Sequence, residues 1–211
     1  MTYFSPFERR DRGRRRRRAL AVFIVALIVL TMLDPAIARA VWIPDREGLD
    51  SKDFYATVRS LGALWIWIAI TLVIYLHDRV WDRAGSVFLA TVIAGLVAEG
   101  VKRVIPRGRP VDGHGIAESW HRWRPLFSGF ADDSNLGLPS SHAAVAFAGC
   151  LVLAAFLPRA RWLLWGLAIL CGFSRMASGA HFASDILVGG AIGWWWARFF
   201  EPPKPDRARL A

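Results

Sequence analysis

Apolar residues in this chain fall into long blocks that short charged stretches separate. Six blocks can be delimited, at residues 19–43, 61–76, 86–101, 140–157, 162–173 and 184–200. Blocks of this kind are typical of helices that cross a bilayer, where about 20 residues span the hydrocarbon. The pattern therefore predicts an all-α polytopic membrane protein with six transmembrane helices, the first of them interrupted at Asp34-Pro35. The shorter blocks need flanking residues or local thinning of the bilayer to complete a span.

The basic residues indicate how these spans are oriented. Eight arginines lie between Arg9 and Arg18, directly before the first apolar block. Cytoplasmic segments of membrane proteins carry an excess of Lys and Arg, so we expect the N-terminus to be cytoplasmic. The chain is accordingly divided into a cytoplasmic basic segment (1–18), a transmembrane domain (19–200) and a cytoplasmic tail (201–211). The expected location is the inner (cytoplasmic) membrane of a bacterium.

Charge and cysteine content exclude some other functions. The formal net charge of +10 would suit a nucleic-acid partner, but the N-terminal arginines are explained by topology, so no such partner is expected. Cys150 and Cys171 both lie inside apolar blocks, where they are expected to be small core residues without a disulfide. A cleavable signal peptide ending near Ala38-Arg39-Ala40 is an alternative for the N-terminus, but it would leave an odd number of spans.

Three groups of polar residues stand at the ends of the predicted spans. They are Lys102–Pro110 with the sequence KRVIPRGRP, Pro139–His142 with the sequence PSSH, and a third group of Ser174, Arg175, His181 and Asp185. In the six-span topology all three fall on the outer side, although six spans could have scattered them over both faces. We therefore expect them to form one active site at the outer membrane surface, facing the periplasm or the cell exterior.

The cations in these groups are suited to bind a phosphate dianion. Lys102, Arg109 and Arg175 supply fixed positive charge, and a guanidinium can hold two phosphate oxygens at once. Any one of them alone would be explained as an interfacial anchor. Their combination with the histidines favours a phosphate site.

The start of the fourth span adds hydrogen-bond donors to these charges. Pro139 fits the first turn of a helix, which would leave the amides of residues 140–142 unpaired. Unpaired amides at a helix N-terminus form a ready anion site. The hydroxyls of Ser140 and Ser141 can add a further donor.

The two histidines provide a route for phosphoryl transfer. His181 and Asp185 are four residues apart, which places them on one face of a helix. Asp185 can then accept a hydrogen bond from one imidazole nitrogen, leaving the other with a lone pair that attacks phosphorus. His142 can protonate the leaving oxygen and later activate the water that hydrolyses the phosphohistidine. Because cations and helix termini stabilise the transition-state charge, we expect no metal and no cofactor.

In order and spacing, the three groups resemble the signature of the type 2 phosphatidic acid phosphatase (PAP2) superfamily. That signature is Lys, six residues, Arg-Pro; then Pro-Ser-Gly-His; then Ser-Arg, five residues, His, three residues, Asp. The chain matches it at Lys102, Arg109, Pro110, Pro139, Ser140, His142, Ser174, Arg175, His181 and Asp185. It departs from it at Ser141, where the family usually has Gly; a serine should be tolerated because only the amide is needed there.

The resemblance implies specific roles for these residues. His181 would be the nucleophile, Asp185 its orienting partner and His142 the acid. Phosphate would be bound by Lys102, Arg109, Ser140, Ser141 and Arg175.

The resemblance also implies an activity. The expected protein is a phosphatase that hydrolyses a phosphomonoester or pyrophosphate of a membrane lipid, such as undecaprenyl diphosphate, phosphatidylglycerol phosphate, phosphatidic acid or lipid A. A phosphotransferase that passes the same phosphate to a lipid acceptor is one alternative. A non-enzymatic protein that binds or transports anionic lipids is another, although binding alone would not need paired histidines. The expected partners are the lipid substrate and the bilayer.

Two connecting segments allow more than one interpretation. The loop at 111–138 carries His114, Glu118 and His121, and we interpret it as a lid or headgroup-reading surface in preference to a metal site. Residues 45–59 are expected to form either an interfacial amphipathic turn or an ordinary loop. Glu99, three residues before Lys102, is expected to pair with that lysine.

Overall fold

The computed structural model describes residues 6–45, 48–49, 51–112, 115–116, 122–200 and 202. Within them the chain forms seven α-helices: α1 (Pro6–Val41), α2 (Asp53–Ser60), α3 (Leu64–Asp78), α4 (Trp81–Val104), α5 (Ser141–Phe156), α6 (Arg161–Ala177) and α7 (Ala183–Ala197). Short 3-10 turns occur at Ser128–Phe130 and Pro158–Ala160, and a two-residue hairpin pairs Val111–Asp112 with Gly115–Ile116. The all-α fold class is therefore confirmed, apart from this small hairpin.

Helix α1 differs from its prediction in one respect. The expected interruption at Asp34-Pro35 is wrong, because α1 continues through Pro35 to Val41. A proline removes a single helical hydrogen bond, which a long apolar helix in a membrane protein tolerates. The helix also runs through residue 18 without a break, so the basic segment and the first span share one helix.

The number of membrane spans stays a prediction. Among the described helices, Gly13–Val41 of α1 and Trp81–Val104 of α4 are long and apolar enough to cross a bilayer, and α2 with α3 qualifies as a pair bent by 73°. Helices α5, α6 and α7 have 16, 17 and 15 residues. At 1.5 Å per residue they are about 23–26 Å long, less than the roughly 30 Å of hydrocarbon.

Helix α5 lies at the centre of the bundle and packs against α4, α6 and α7. Its contacts are close because the facing residues are small. A Cβ added at Gly189 or Gly193 of α7 would lie 2.3 Å from the carbonyl oxygens of Ser140 and Ala144, respectively. Small residues at such positions let helix backbones touch, as is common between membrane helices. This packing sets the start of α7 directly beside the start of α5.

Residues 53–60, within the segment before α3, form an amphipathic helix and not an ordinary loop, while the interfacial location stays a prediction. Helix α2 forms there and buries Tyr55 and Val58, while Phe54 is 72% exposed. The chain then bends at residues 61–63 and enters α3. A Cβ at Gly62 would lie 2.5 Å from the Cβ of His142, so the beginnings of α3 and α5 meet at one end of the bundle. We call this the site end.

The opposite end of the bundle carries His77 and Asp78, where α3 finishes. In the orientation expected from sequence, the site end faces outward and this end faces the cytoplasm. Ala131, on the loop at the site end, and His77 are both exposed, whereas Cys150 and Cys171 are buried and unpaired, as expected.

A cysteine-labelling experiment tests this orientation. We expect Ala131→Cys to react with a membrane-impermeant maleimide in intact cells, and His77→Cys to react only after permeabilisation. Both variants are made with Cys150→Ala and Cys171→Ala to remove background. Reaction of Ala131→Cys solely from the cytoplasmic side would show that the orientation is inverted.

Candidate active site

The first two groups meet through a hydrogen-bonded triangle at the site end. Lys102 Nζ, near the end of α4, lies 2.7 Å from Glu99 Oε1 and 2.6 Å from Ser141 Oγ. Ser141 Oγ in turn donates to Glu99 Oε1 over 2.6 Å. The expected pairing of Glu99 with Lys102 is confirmed, and it holds the ammonium beside the first residue of α5.

The start of α5 corrects one part of the predicted anion site. The amide of Ser140 is not free, since it donates to the backbone carbonyl of Asp185 over 3.0 Å. The Ser140 hydroxyl caps the helix by accepting a hydrogen bond from Ala143 N at 3.3 Å. Sequence spacing could not show this contact, because it depends on α7 packing against α5. In the described chain the amides of Ser141 and His142 have no hydrogen-bond partner, which fits an N-terminal anion site.

The arginines differ in how they are held. Arg175 is 6% exposed, and its Nε is buried without a hydrogen-bond partner among the described residues. A buried guanidinium nitrogen in that state is suited to an anionic ligand. Arg109 Nε donates to Leu136 O over 3.3 Å, and its own carbonyl accepts from Arg122 Nη1 over 2.6 Å.

The orientation of His181 differs from the predicted one. Its Nδ1 lies 2.8 Å from the backbone carbonyl of Gly137 and 3.8 Å from Asp185 Oδ2. The expected hydrogen bond from His181 to Asp185 is therefore not formed, and the two residues do not share a helix face, because α7 begins only at Ala183. Asp185 Oδ2 accepts instead from the amide of Phe182 over 2.9 Å. A carbonyl can only accept, so Nδ1 carries the proton and Nε2 has the lone pair. The backbone carbonyl of Gly137 thus fixes the tautomer of His181, which Asp185 was expected to do.

Electrostatics keep His181 neutral. Burial, followed by the positive charges of Arg175, Lys102 and Arg109, holds the pKa of His181 well below its ordinary value, and the bond to Gly137 opposes this only in part. At neutral pH the ring is therefore uncharged, and uncharged imidazole is the nucleophilic form.

His142 lies near these groups. It is half-buried at the start of α5, near the His181 ring, and lies close enough to Arg175 and Lys102 to experience their charges. Its side chain rests against Gly62, where a Cβ would approach His142 Cδ2 to 2.6 Å. The bend between α2 and α3 therefore limits where the imidazole can lie.

Sequence reasoning missed a buried ionic cluster behind His181. Arg107 is 1% exposed, and it contacts Asp34 of α1 over 2.7 Å and Asp185 over 3.1 Å. Its Nη1 also donates to Ser184 Oγ over 2.7 Å. Two signals could have found the cluster: Arg107 stands inside the first polar group, and a carboxylate within an apolar span is by default a functional candidate.

The loop that precedes α5 is only partly described. His114, Glu118 and His121 lie outside the described residues, so their predicted roles are untested. The described part of the loop is fastened by ion pairs, Arg124 with Asp132 at 2.9 Å and Arg103 with Asp133 at 3.2 Å.

Comparison with family models shows which family the protein belongs to. A model of the PAP2 superfamily matches residues 83–202, more than half of the chain. The chain belongs to the PAP2 superfamily. The match contains all three polar groups of the site, and it leaves α1, α2 and α3 outside.

Two named proteins are similar to part of this chain. Lipid A 1-phosphatase of Rhizobium etli is 34% identical over 110 residues, which make up 52% of this chain and 45% of that protein. Undecaprenyl-diphosphatase of Sulfolobus acidocaldarius is 24% identical over 135 residues, or 64% of this chain and 61% of that protein. The chain thus spans about half to three fifths of the length of these relatives.

Two solved structures share the fold. The PAP2-type phosphatidylglycerolphosphate phosphatase of Bacillus subtilis superposes with a TM-score of 0.58 and 21% identity, covering 85% of this chain and 92% of that one. LpxE of Aquifex aeolicus superposes with a TM-score of 0.56 and 17% identity, covering 80% of this chain and 94% of that one. The fold of this protein is therefore that of PAP2 membrane phosphatases.

The contact between Gly62 and His142 gives a testable consequence. Gly62→Ala should push the imidazole away from the site and lower kcat by about 10- to 100-fold, since misplacing a catalytic group by about 1 Å has such an effect. Phosphate release at saturating substrate measures it. Gly166→Ala is the matched control, because nothing lies within 4 Å of a Cβ at that position, and it should be neutral. Equal rates for both variants would contradict the placement of His142.

Proposed function

We propose that this protein is a phosphatase that removes phosphate from a membrane lipid through a phosphohistidine at His181. The observation that carries the proposal is the state of the His181 ring, in which Nδ1–H is bonded to Gly137 O and the pKa is lowered. This leaves Nε2 as an uncharged nucleophile beside the cations Lys102, Arg109 and Arg175. The same ring in a merely structural role would not need three cations around it.

The first half-reaction transfers phosphate to the enzyme. Nε2 of His181 attacks phosphorus, a P–N bond forms, and the bond from phosphorus to the leaving oxygen breaks. His142 acts as the general acid: the charge of the bound phosphate dianion favours the protonated imidazole, which gives its proton to that oxygen. Lys102, Arg109, Arg175 and the amides at the start of α5 stabilise the charge on the equatorial oxygens.

The second half-reaction regenerates the enzyme. A water attacks the phosphohistidine, the P–N bond breaks, and Nε2 recovers its lone pair. His142 takes the proton of the attacking water and so returns to its initial state. Inorganic phosphate then leaves.

An apolar groove supports a lipid rather than a soluble ester as substrate. A cavity of about 530 Å³ lies between α1, α5, α6 and α7, with an almost wholly apolar lining that includes Phe23, Phe147 and Trp165. Two other lining residues, Met176 and Ala183, flank the segment that carries His181. A groove of this composition next to a phosphate site suits a hydrocarbon chain.

The names of the relatives give the candidate substrates. Lipid A, undecaprenyl diphosphate and phosphatidylglycerol phosphate are each the substrate of a relative or structural neighbour by name. The phosphotransferase alternative uses the same first step, with a lipid hydroxyl replacing water in the second. Release of free phosphate without an acceptor separates the two, and a lipid-binding protein would release none.

The two histidines should respond differently to substitution. Purified protein in nanodiscs is assayed for phosphate release from a panel of these lipids and from a nitrophenyl phosphate. His181→Ala should abolish turnover on every substrate, because the nucleophile is gone. His142→Ala should lose about 10²- to 10⁴-fold on lipids, the usual value of general acid–base catalysis, and less on the nitrophenyl ester.

The comparison includes a control for folding. Each variant must keep the melting temperature of the wild-type protein in the same nanodiscs. Substantial activity in His181→Ala would refute the assignment of the nucleophile. Equal losses of His142→Ala on both substrate types would refute its role as acid.

A further inference from the structure

One side chain at the candidate site comes from a helix that the family match does not include. Asp34 of α1 is 0% exposed, although α1 is otherwise peripheral. Among the described side chains of α1, Ala38 alone is also buried. Burying a carboxylate is unfavourable unless it is paired and hydrogen-bonded, so the burial of Asp34 on a mostly exposed helix must be explained by its partners.

The partners of Asp34 lie at the start of α7 and on Arg107. Asp34 Oδ1 accepts from the amide of Ser184 over 3.0 Å, and Oδ2 accepts from the Ser184 hydroxyl. Oδ2 also accepts from Arg107 Nη2 over 2.7 Å. Asp34 thus ties α1 to the first turn of α7 and holds one side of the guanidinium.

Arg107 reaches the His181 ring by two separate routes. Its guanidinium contacts Asp185 Oδ1 at 3.1 Å, and the other oxygen of Asp185 faces His181 Nδ1 at 3.8 Å. Its backbone carbonyl accepts from the amide of Gly137 over 2.6 Å, and Gly137 O is the hydrogen-bond partner of His181 Nδ1. Gly137 O and Asp185 Oδ2, the two groups next to His181 Nδ1, therefore belong to residues that Arg107 contacts directly.

The ring of Phe182 and that of Trp123 enclose the same guanidinium. Its central carbon lies 4.2 Å from the Phe182 ring centre and 5.3 Å from that of Trp123. With carboxylates on both sides and rings above it, Arg107 has little freedom to move. Any shift of Arg107 would be passed to Gly137 and Asp185 together.

We propose that Asp34 and Arg107 are positioning residues for the His181 nucleophile: Asp34 fixes Arg107, and Arg107 fixes the two groups that orient the imidazole. The proposal rests on the proposed phosphatase function for its kinetic consequences. Both side chains are buried, so neither is open to a substrate, and their loss should change the chemical step and leave substrate binding intact.

Asp34→Asn tests the proposal in nanodiscs. The amide keeps the shape of the carboxylate and can still accept from Ser184, but the ion pair with Arg107 is lost. We expect kcat to fall about 10- to 100-fold, as for a group misplaced by about 1 Å, with KM within about twofold of wild type. The matched control is Asp78→Asn, which removes a carboxylate 3.7 Å from Arg83 at the opposite end of the bundle. It should leave both constants unchanged.

A second comparison separates positioning from simple charge balance. Arg107→Gln leaves two buried carboxylates without their cation and should lower both the melting temperature and kcat. Adding Asp34→Asn to it removes one of these carboxylates, so the melting temperature should recover. If the cluster only balanced charge, kcat would recover as well; the proposal predicts that it stays low, because Asp185 still lacks the guanidinium.

A third readout does not depend on activity. In protein labelled with nitrogen-15 in histidine, the His181 ring should give one Nδ1–H tautomer in wild type and exchange between tautomers in Asp34→Asn. A folded Asp34→Asn protein with an unchanged ring signal and unchanged kcat would overturn the positioning role. Absence of phosphate release from the wild-type protein, with the ring signal altered as expected in the variant, would instead count against the proposed function alone.

Discussion

Arg107 is buried between carboxylates from two helices, and the geometry of the site end depends on this arrangement. Removing a guanidinium from water is unfavourable unless its charge is balanced, which Asp34 and Asp185 accomplish together. With Ser184 they also accept from both terminal nitrogens of Arg107, whereas its Nε has no partner among the described residues. Removing one partner of a buried pair typically costs about 3–5 kcal/mol, because the other charge is left uncompensated. The cluster therefore joins α1, α7 and the segment after α4 in one arrangement. His181 and its partner Gly137 lie within that arrangement.

The site has two parts: buried hydrogen-bonded groups on the Nδ1 side of His181, and cationic groups near the start of α5. Behind His181, the bonds through Gly137, Asp185 and Arg107 fix the ring and its tautomer. In front, Lys102 and Arg175 lie with the amides at the start of α5 that have no partner in the described part of the chain, and this is where we propose that the phosphate binds. Glycines at the helix contacts make this possible, since Gly189 lets α7 approach the Ser140 carbonyl and Gly62 leaves room for His142.

Local sequence patterns predicted part of this arrangement and long-range packing decided the rest. The three polar groups follow from the spacing of residue types along the chain, and the pairing of Glu99 with Lys102 follows from spacing along one helix; both are visible in a sequence. The bond from His181 to Gly137 is not visible there, because it joins residues 44 positions apart. In the sequence Asp34 is visible only as a break in an apolar block, because its contact with Arg107 joins residues 73 positions apart. An amphipathic element at α2 was one of two open alternatives, whereas the continuity of α1 through Pro35 could not be expected.

The most direct test is to identify the atom that carries phosphate during turnover. Protein mixed with radiolabelled lipid substrate is denatured without acid, which preserves phosphohistidine, and the labelled peptide is located by mass spectrometry. The account predicts phosphate on Nε2 of His181, with a larger labelled fraction in His142→Ala because water attack is slowed. Phosphate on Nδ1 of that ring, which is bonded to Gly137, or on His142 would contradict it.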